Sequence, residues 1–164
     1  MKTTVYYLQM FAHPRQVVPL PRDGINILHS KRPTIAWYRF LYDAVGKDWN
    51  WTSRKKLSDT ALATIIHDPN DEVHVLFVDG VPAGFVELDR RVEGEIEITQ
   101  FGLMPEFLGQ GLGKYFLHWS IDRAWGYRPK RVWLHTCTDD HPAAIPNYLK
   151  ADFALYKEEV RDQG

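Results

Sequence analysis

The sequence predicts a mixed α/β fold of the α+β type, in which a mostly antiparallel sheet of six or seven strands has helices on both sides. Two observations lead to this prediction. Residues 73–89 form two apolar runs around Asp79-Gly80, a favoured two-residue hairpin turn. Further along, residues 95–101 alternate polar and apolar like a strand, and a glycine-rich turn then leads into an apolar stripe at helical spacing. Hairpins followed by helices in this way are typical of a sheet covered by helices.

Two strands are predicted near the N-terminus. Residues 5–11 are rich in aromatic and β-branched side chains, and residues 25–29 form a second, shorter strand. Prolines interrupt the pattern between them, so residues 1–22 are interpreted as an additional N-terminal strand with its connector. No repeat or linker divides the chain, and its length suits one domain, which is predicted to span residues 1–164.

Two helices are predicted next. Residues 33–46 have a proline in the first turn, an apolar stripe at helical spacing and a glycine at the end. Residues 58–67 begin at a serine that can cap a helix, and they stop before an Asp-Pro pair. The hairpin of residues 73–89 and the strand of residues 95–101 follow these helices.

Three further elements are predicted after the long helix, which ends near Gly126. Residues 131–137 form a strand, residues 141–151 form a helix, and residues 153–159 form a closing strand. Pro146 is expected to kink the last helix, because proline removes a backbone donor from the helix interior.

Composition excludes several classes of protein. A formal net charge of −1 gives no electrostatic reason to expect nucleic acid or an anionic membrane as a partner. No segment approaches the ~20 apolar residues of a membrane span. The single cysteine, Cys137, cannot form an intrachain disulfide, so a cytoplasmic location is expected.

The glycine-rich turn before the long helix is the most informative feature of the chain. Gly109, Gly111 and Gly113 lie within five residues. Glycine lets a backbone approach a ligand closely, and the free N–H groups of a helix start attract anions. A Walker-type loop does not fit, because Tyr115 follows Lys114 where that loop has Ser or Thr. The dinucleotide fingerprint also needs another glycine spacing, so a different phosphate-bearing cofactor is predicted here.

This turn resembles the pyrophosphate loop of the GNAT superfamily of acyl-CoA-dependent N-acetyltransferases, whose signature is Gln/Arg-x-x-Gly-x-Gly/Ala. Gly111 and Gly113 match its two small positions, while Leu108 replaces the Gln or Arg. The order of predicted elements over roughly residues 25–160 also agrees with that superfamily. Because backbone N–H groups make most contacts in such a loop, the departure at Leu108 is expected to weaken the site without abolishing it.

A second resemblance lies near the C-terminus. The superfamily has a late signature similar to Asn-x-x-Ala-x-x-x-Tyr-x-x-x-Gly-Phe, and here Ala144, Tyr148 and Phe153 fall at the matching positions. His141 replaces the usual Asn, and Asp152 replaces the usual Gly. That glycine usually takes a positive φ, and Asp is among the few other residues that tolerate it.

The resemblance implies an N-acetyltransferase that uses acetyl-CoA as its acyl donor. It also implies that the cofactor contacts a bulged strand segment, the glycine turn and the start of the last helix. The residues implied in cofactor binding are Phe101, Gly102, Leu103, Leu108, Gly109, Gln110, Gly111, Leu112, Gly113, Lys114, His141 and Tyr148.

Acetyl transfer from a thioester to an amine needs a base for the ammonium group and an acid for the thiolate. Glu97 lies where several superfamily members have their general base, and Tyr148 matches a tyrosine that often lies beside the cofactor sulfur. Glu95 shares a strand face with Glu97, and Glu87 and Asp89 share a face of the neighbouring strand. If these faces coincide, the carboxylates form a patch that favours a cationic substrate, with Glu87 and Glu95 as substrate-binding residues.

Trp49 and Trp51 are further candidates for substrate binding, because aromatic faces attract cationic amines. The segment from His135 to His141 contains histidine, cysteine and aspartate, so a metal site there is an alternative. That segment has no second cysteine and no His-x-x-x-His spacing, so no metal is expected.

The function predicted is therefore transfer of an acetyl group from acetyl-CoA to a primary amine, by direct attack in a ternary complex. A cationic small molecule is favoured over a protein as the acceptor. Two alternatives stay open, namely a non-catalytic acyl-CoA-binding regulatory module and a protein or peptide N-acetyltransferase. The oligomeric state is left open too, a homodimer included.

Overall fold

The structure, a computed structural model, describes residues 2–162. Four α-helices, two short 3₁₀ helices and seven strands were found in this part of the chain. In chain order the elements are β1 Lys2–Met10, β2 Ile25–Ser30, α1 Ile35–Gly46, the 3₁₀ helix Lys47–Trp49, α2 Asp59–Ile66, β3 Asp71–Val78, β4 Val81–Asp89, β5 Glu95–Leu103, the 3₁₀ helix Pro105–Phe107, α3 Leu112–Trp125, β6 Arg131–Cys137, α4 Ala144–Lys150 and β7 Ala154–Asp162.

The seven strands form one mixed sheet in the order β2-β3-β4-β5-β6-β1-β7, which confirms the predicted fold class. All neighbouring strands are antiparallel except β5 and β6, which run parallel. The N-terminal strand β1 lies inside the sheet, where Leu8 pairs with Leu134 of β6 on one side and with Leu155 of β7 on the other. The first strand therefore joins the closing strand to the rest of the sheet.

The parallel strands β5 and β6 separate along their length. Their pairing covers only residues 95–98 of β5 and residues 131–134 of β6, although both strands continue beyond it. On its other side β5 stays paired to β4, with a register shift between Glu87 and Leu88 of β4. The sheet is thus open between the carboxyl ends of β5 and β6, where the resemblance implied a bulged strand segment.

Each side of the sheet carries its own hydrophobic core. Helices α3 and α4 pack on one side, where Leu112 and Phe116 are completely buried. Helices α1 and α2 pack on the other side, where Tyr38 and Leu62 are completely buried. Complete burial of one such side chain stabilises the fold by about 1.5–3 kcal/mol. None of the helices described combines the length and apolar character that a membrane span needs.

Two local predictions at helix ends are confirmed, and the prediction for the start of the last helix is wrong. Ser58 caps α2, because its side chain accepts a hydrogen bond from the Ala61 amide at 3.1 Å. Asp152 has the positive φ, +74°, that the resemblance required of this position. The predicted kink at Pro146 is wrong, because α4 begins only at Ala144. Proline then lies in the first helical turn, where its missing N–H has no partner to lose.

Candidate active site

Two cavities adjoin at the open end of the sheet. The first, named the loop cavity, has a volume of about 610 Å³ and is lined by the glycine turn, the end of β5 and the start of α4. The second, named the strand cavity, has a volume of about 550 Å³ and is lined by residues 98–101 of β5 and 135–137 of β6. Five residues line both cavities and define their junction: Trp49, Trp51, Phe101, Asp140 and Tyr148.

The wall of the loop cavity includes the start of α3. Gly111 is the N-cap of this helix and has a φ of +79°, which L side chains rarely adopt. Gly109 has a φ of +76° and has no atom within 4 Å of the place where a Cβ would be. The first N–H groups of a helix have no partner inside it, so this end of α3 can bind an anion. Gly113 and Lys114 line the same wall.

Most of the residues predicted for the cofactor come together in this cavity. It is lined by Phe101, Gly102, Leu103, Leu108, Gly109, Gly111, Gly113, Lys114, His141 and Tyr148. Two predicted residues do not line it. Leu112 is completely buried in the core, and the exposed Gln110 side chain donates to the Glu106 carbonyl at 3.3 Å. For Leu112, only the backbone remains available to a ligand there.

Tyr148 lies at the junction, and 7% of its surface is exposed. Burial, and secondly the negative charge of Asp140, raise the pKa of its phenol. No group among residues 2–162 hydrogen-bonds the hydroxyl, while the ring contacts Phe101 and Phe153 at centroid distances of 6.5 and 6.0 Å. The ring is therefore fixed, and its neutral O–H is free to donate to a bound molecule.

The Asp140 carboxylate is the second polar group at the junction. It accepts hydrogen bonds from the Thr136 hydroxyl at 2.6 Å, the His141 amide at 3.2 Å and the Trp51 indole at 3.4 Å. In the sequence, Asp140 lies in the segment from His135 to His141, where its type suits a metal ligand or a helix cap. Its place at the junction depends on how β6 ends beside the loop after α1, which no local pattern reveals.

Trp49 and Trp51 line both cavities, and the structure brings them beside Asp140 and Tyr148 as aromatic walls. The Trp49 ring contacts the His141 ring at a centroid distance of 4.8 Å. The Trp51 ring packs on Tyr42 at 5.3 Å. Tyr42 is buried in the core beneath α1, so the Trp51 side of the junction rests on a rigid base.

The loop that follows Trp51 is anchored by a buried ion pair. The Arg54 guanidinium donates to Glu87 at 2.8 Å, and the Tyr38 hydroxyl donates to the same carboxylate. The Arg54 backbone amide also donates to the Tyr42 hydroxyl, at 3.3 Å. Removing one partner of a buried pair costs about 3–5 kcal/mol, so this network fixes the loop that carries Trp51.

The predicted patch of carboxylates does not line either cavity. Glu87 is completely buried against Arg54, so it cannot contact a substrate directly. Glu95 pairs with Arg131 at 2.6 Å. Asp89 is likewise paired, with Arg91 at 2.9 Å. Each of these charges has a cationic partner that the sequence did not reveal, and the expectation of an open acidic patch is corrected accordingly.

Glu97, the predicted base, is also paired and does not line either of the two cavities. Its carboxylate lies 3.3 Å from Nδ1 of His135. His135 lines the strand cavity but not the loop cavity, so it stands outside the junction. Glu97 can thus reach the strand cavity only through His135.

The segment from β6 to α4, considered above as a metal site, gives no group of potential metal ligands among the described residues. Such a group does form on β2 and β3, where ligand atoms of His29, Glu72 and His74 lie within 4.8 Å of one another. Glu72, however, already accepts hydrogen bonds from Arg90 at 2.9 Å and Arg123 at 3.3 Å. The cluster is therefore explained as an ion-paired network that ties α3 to the sheet.

Comparison with solved structures gives many similar folds. A conserved protein of unknown function from Staphylococcus epidermidis has a TM-score of 0.67 at 18% identity, covering 98% of this chain and 60% of its own. A GCN5-related N-acetyltransferase from Sphaerobacter thermophilus has a TM-score of 0.67 at 16% identity, covering 96% of this chain and 50% of its own. The chain thus spans only about half to three-fifths of the length of these two proteins. An IAA acetyltransferase from Bacillus cereus has a TM-score of 0.62 at 18% identity, covering 81% of this chain and 79% of its own.

At identities this low, these likenesses show the fold alone. No match to the chain was found among curated protein sequences. The sequence model of the acetyltransferase (GNAT) family matches residues 35–153, well over half of the chain. That range contains the glycine turn, the open end of the sheet and the helix that carries Tyr148. The chain therefore belongs to the GNAT family of acetyltransferases.

Proposed function

We propose that the chain is an acetyl-CoA-dependent N-acetyltransferase that acetylates a primary amine by direct attack in a ternary complex. The observation that carries this proposal is the meeting of two cavities at Tyr148. One cavity has a wall suited to pyrophosphate, and the other leaves room for an acceptor. A transfer enzyme needs such a junction, because both substrates must approach one reacting atom.

The loop cavity fits acetyl-CoA by its chemistry. The left-handed Gly111 and the start of α3 provide N–H groups for the pyrophosphate, and Lys114 adds a positive charge beside them. Residues 99–103 of β5, which do not pair with β6, leave backbone groups for the amides of the pantetheine arm. When bound, acetyl-CoA supplies the acetyl thioester that the amine attacks.

Tyr148 is proposed as the acid of the reaction. The new C–N bond forms while the C–S bond breaks, and the departing sulfur needs a proton. A phenol holds its proton at neutral pH, and the Tyr148 hydroxyl has no other hydrogen-bond acceptor among residues 2–162, so it can donate to the sulfur. A general acid of this kind contributes typically 10²–10⁴-fold to the rate.

The strand cavity is proposed as the acceptor site, and a small cationic molecule as its occupant. A volume of about 550 Å³ is in the range of sites for small molecules. The carboxylates first expected to attract the cation are ion-paired, so the preference for a cation rests instead on Asp140 and on the faces of Trp49 and Trp51. We place the enzyme in the cytoplasm, where its single thiol would stay reduced.

The proposal is tested by incubating the protein and acetyl-CoA with a panel of amines and measuring the release of free CoA thiol. The panel should contain polyamines, aminoglycosides, amino acids and peptides, and a reaction without amine gives the background hydrolysis. Release above background with at least one small amine, together with an acetylated product by mass spectrometry, is expected. Tight acetyl-CoA binding without any release would indicate a non-catalytic binding module, and release with peptides alone would indicate a protein N-acetyltransferase.

A further inference from the structure

The five residues at the junction of the cavities differ in what they can do with a proton. Trp49, Trp51 and Phe101 have no group that titrates in the physiological range. Tyr148 is a neutral phenol and therefore a donor. Of the five residues, only Asp140 has a carboxylate, which can take up a proton from a bound molecule.

The Asp140 carboxylate is also held differently from the other carboxylates discussed above. Its three hydrogen bonds come from Thr136, His141 and Trp51, which are all neutral donors. Within residues 2–162, no Lys, Arg or His nitrogen forms an ion pair with it. The carboxylate is thus held in place by hydrogen bonds but has no cationic partner among the described residues. An ammonium group that enters from the strand cavity could form that ion pair.

Six other titratable side chains line the strand cavity away from the junction, namely Tyr42, Lys56, His135, Cys137, Arg161 and Asp162. None of them lines the loop cavity, so none reaches the place where the two substrates would meet. His135 is in addition engaged by Glu97 at 3.3 Å. These groups can influence how an acceptor binds, but they lie outside the reach of a nitrogen that attacks at Tyr148.

We propose that Asp140 is the general base, which binds the acceptor's ammonium group between Trp49 and Trp51 and removes its proton before attack. This inference rests on the proposed function and assigns its base. Asp140 takes one proton from the nitrogen and passes it to solvent through the strand cavity. The nitrogen loses a second proton when the amide forms, and this proton replaces the one that Tyr148 gives to sulfur. One proton is released overall, so the reaction is balanced.

The test compares Asp140→Asn with wild type on an amine identified in the panel. At pH 7, kcat/KM should fall by about 10²-fold or more, because Asn keeps the shape but not the basicity. The loss should shrink as the pH approaches the amine's own pKa, since more of the acceptor is then already neutral. The acetyl-CoA Kd should change by less than about threefold. Asp43→Asn, the same change at an exposed residue outside both cavities, is the matched control and should leave kcat/KM unaltered.

A second variant keeps the test decisive if Asp140→Asn folds poorly. Thr136→Val removes the hydroxyl that donates to Asp140 at 2.6 Å while keeping the side-chain volume. Loss of that donor disfavours the ionised carboxylate, so the acidic limb of the kcat/KM profile should move to higher pH, by up to about one unit. If the acidic limb of the kcat/KM profile stayed at the same pH in Thr136→Val, Asp140 would not be the general base.

Failure of the inference can be told apart from failure of the proposed function. If wild type acetylates no amine, the proposed function is wrong and the assignment of a base goes with it. If wild type is active and Asp140→Asn keeps full activity across pH, Asp140 is not the base. Glu97→Gln tests the alternative base. A larger fall in kcat/KM in Glu97→Gln than in Asp140→Asn would show that Glu97, acting through His135, removes the proton instead.

Discussion

The phenol of Tyr148 and the carboxylate of Asp140 line the same junction between two cavities. Burial and then the Asp140 charge raise the pKa of the phenol, so the tyrosine keeps its proton. The Asp140 carboxylate accepts hydrogen bonds from neutral donors, the Thr136 hydroxyl at 2.6 Å and the Trp51 indole at 3.4 Å. Two titratable groups with different environments at one site are the usual arrangement of a general acid and a general base.

Tyr148→Phe should lower kcat by about 10–10²-fold, because the variant lacks the proton donor to sulfur. The acetyl-CoA Kd should stay within about threefold, since the ring and its packing are kept. Steady-state kinetics and calorimetry measure the two effects. Tyr156→Phe, which removes a hydroxyl outside both cavities, is the matched control.

The pH dependence provides a further check on this assignment. A raised pKa means that the phenol is protonated throughout the neutral range and loses its proton only above its ordinary value of about 10. Wild-type kcat should therefore show no fall due to this group below about pH 10. An unchanged kcat in Tyr148→Phe would show that another group protonates the sulfur.

Gly111→Asp should weaken acetyl-CoA binding at least about tenfold. The substitution adds a side chain at a positive φ and a negative charge beside the expected pyrophosphate. Gly80→Asp is a close control, because Gly80 also has a φ of +79° but lies in the β3–β4 hairpin away from both cavities. Calorimetry that gives equal affinities for the two folded variants would contradict the location of the pyrophosphate site.

The parts of this fold that sequence predicted well depend on short-range chemistry. The hairpin turn at Asp79-Gly80 needs positive φ at both positions, and the structure has +49° and +79° there. The glycine turn has left-handed backbone at Gly109 and Gly111, with φ values of +76° and +79°. Asp152 adopts its left-handed conformation in the place where a glycine was expected.

The parts that sequence did not predict depend on partners far along the chain. Glu87 is neutralised by Arg54, 33 residues away, so counting acidic residues on a strand face overstated the charge that a substrate meets. Glu95 and Arg131 are similarly joined only when β5 meets β6. Asp140 reaches the junction because β6 and β5 separate, and no residue pattern near it indicates that geometry.

Gly46→Ala should reduce kcat/KM for the acceptor by about tenfold and also lower stability. A Cβ at this position would lie 2.6 Å from the Trp51 side chain, so the indole must move and its contact with Asp140 is lost. Acceptor kinetics and thermal unfolding measure both effects. Gly126→Ala at the end of α3 is a milder control, since its nearest neighbour would be the Arg123 carbonyl at 3.2 Å. Unaltered acceptor kinetics in a folded Gly46→Ala protein would show that Trp51 does not shape the acceptor site.

The buried carboxyl group of Asp71 should make the stability of the folded protein depend on pH. Neither of its buried oxygens accepts a hydrogen bond within the described part of the chain, and burial together with the charge of Glu87 raises its pKa to about 10. Carboxylates only accept hydrogen bonds, so Asp71 can bind Glu87 only when it holds a proton and donates it. The unfolded chain would instead release this proton near pH 4. The contribution of this proton to the free energy of unfolding is therefore fully present below about pH 4, and it declines as the pH rises toward 10.

Asp71→Asn should remove this decline, because an amide donates to Glu87 at any pH. The free energy of unfolding of the variant relative to wild type should then increase with pH, by at most about 1.4 kcal/mol per unit between pH 4 and pH 10. Urea unfolding at pH 5, 7 and 9 measures the difference, and groups common to both proteins cancel. The same substitution at exposed Asp43 should leave the pH dependence of wild type unchanged. If the free energies of unfolding of the variant and of wild type changed equally with pH across this range, Asp71 would be ionised in the folded protein. The hydrogen bond inferred from protonated Asp71 to Glu87 would then be wrong.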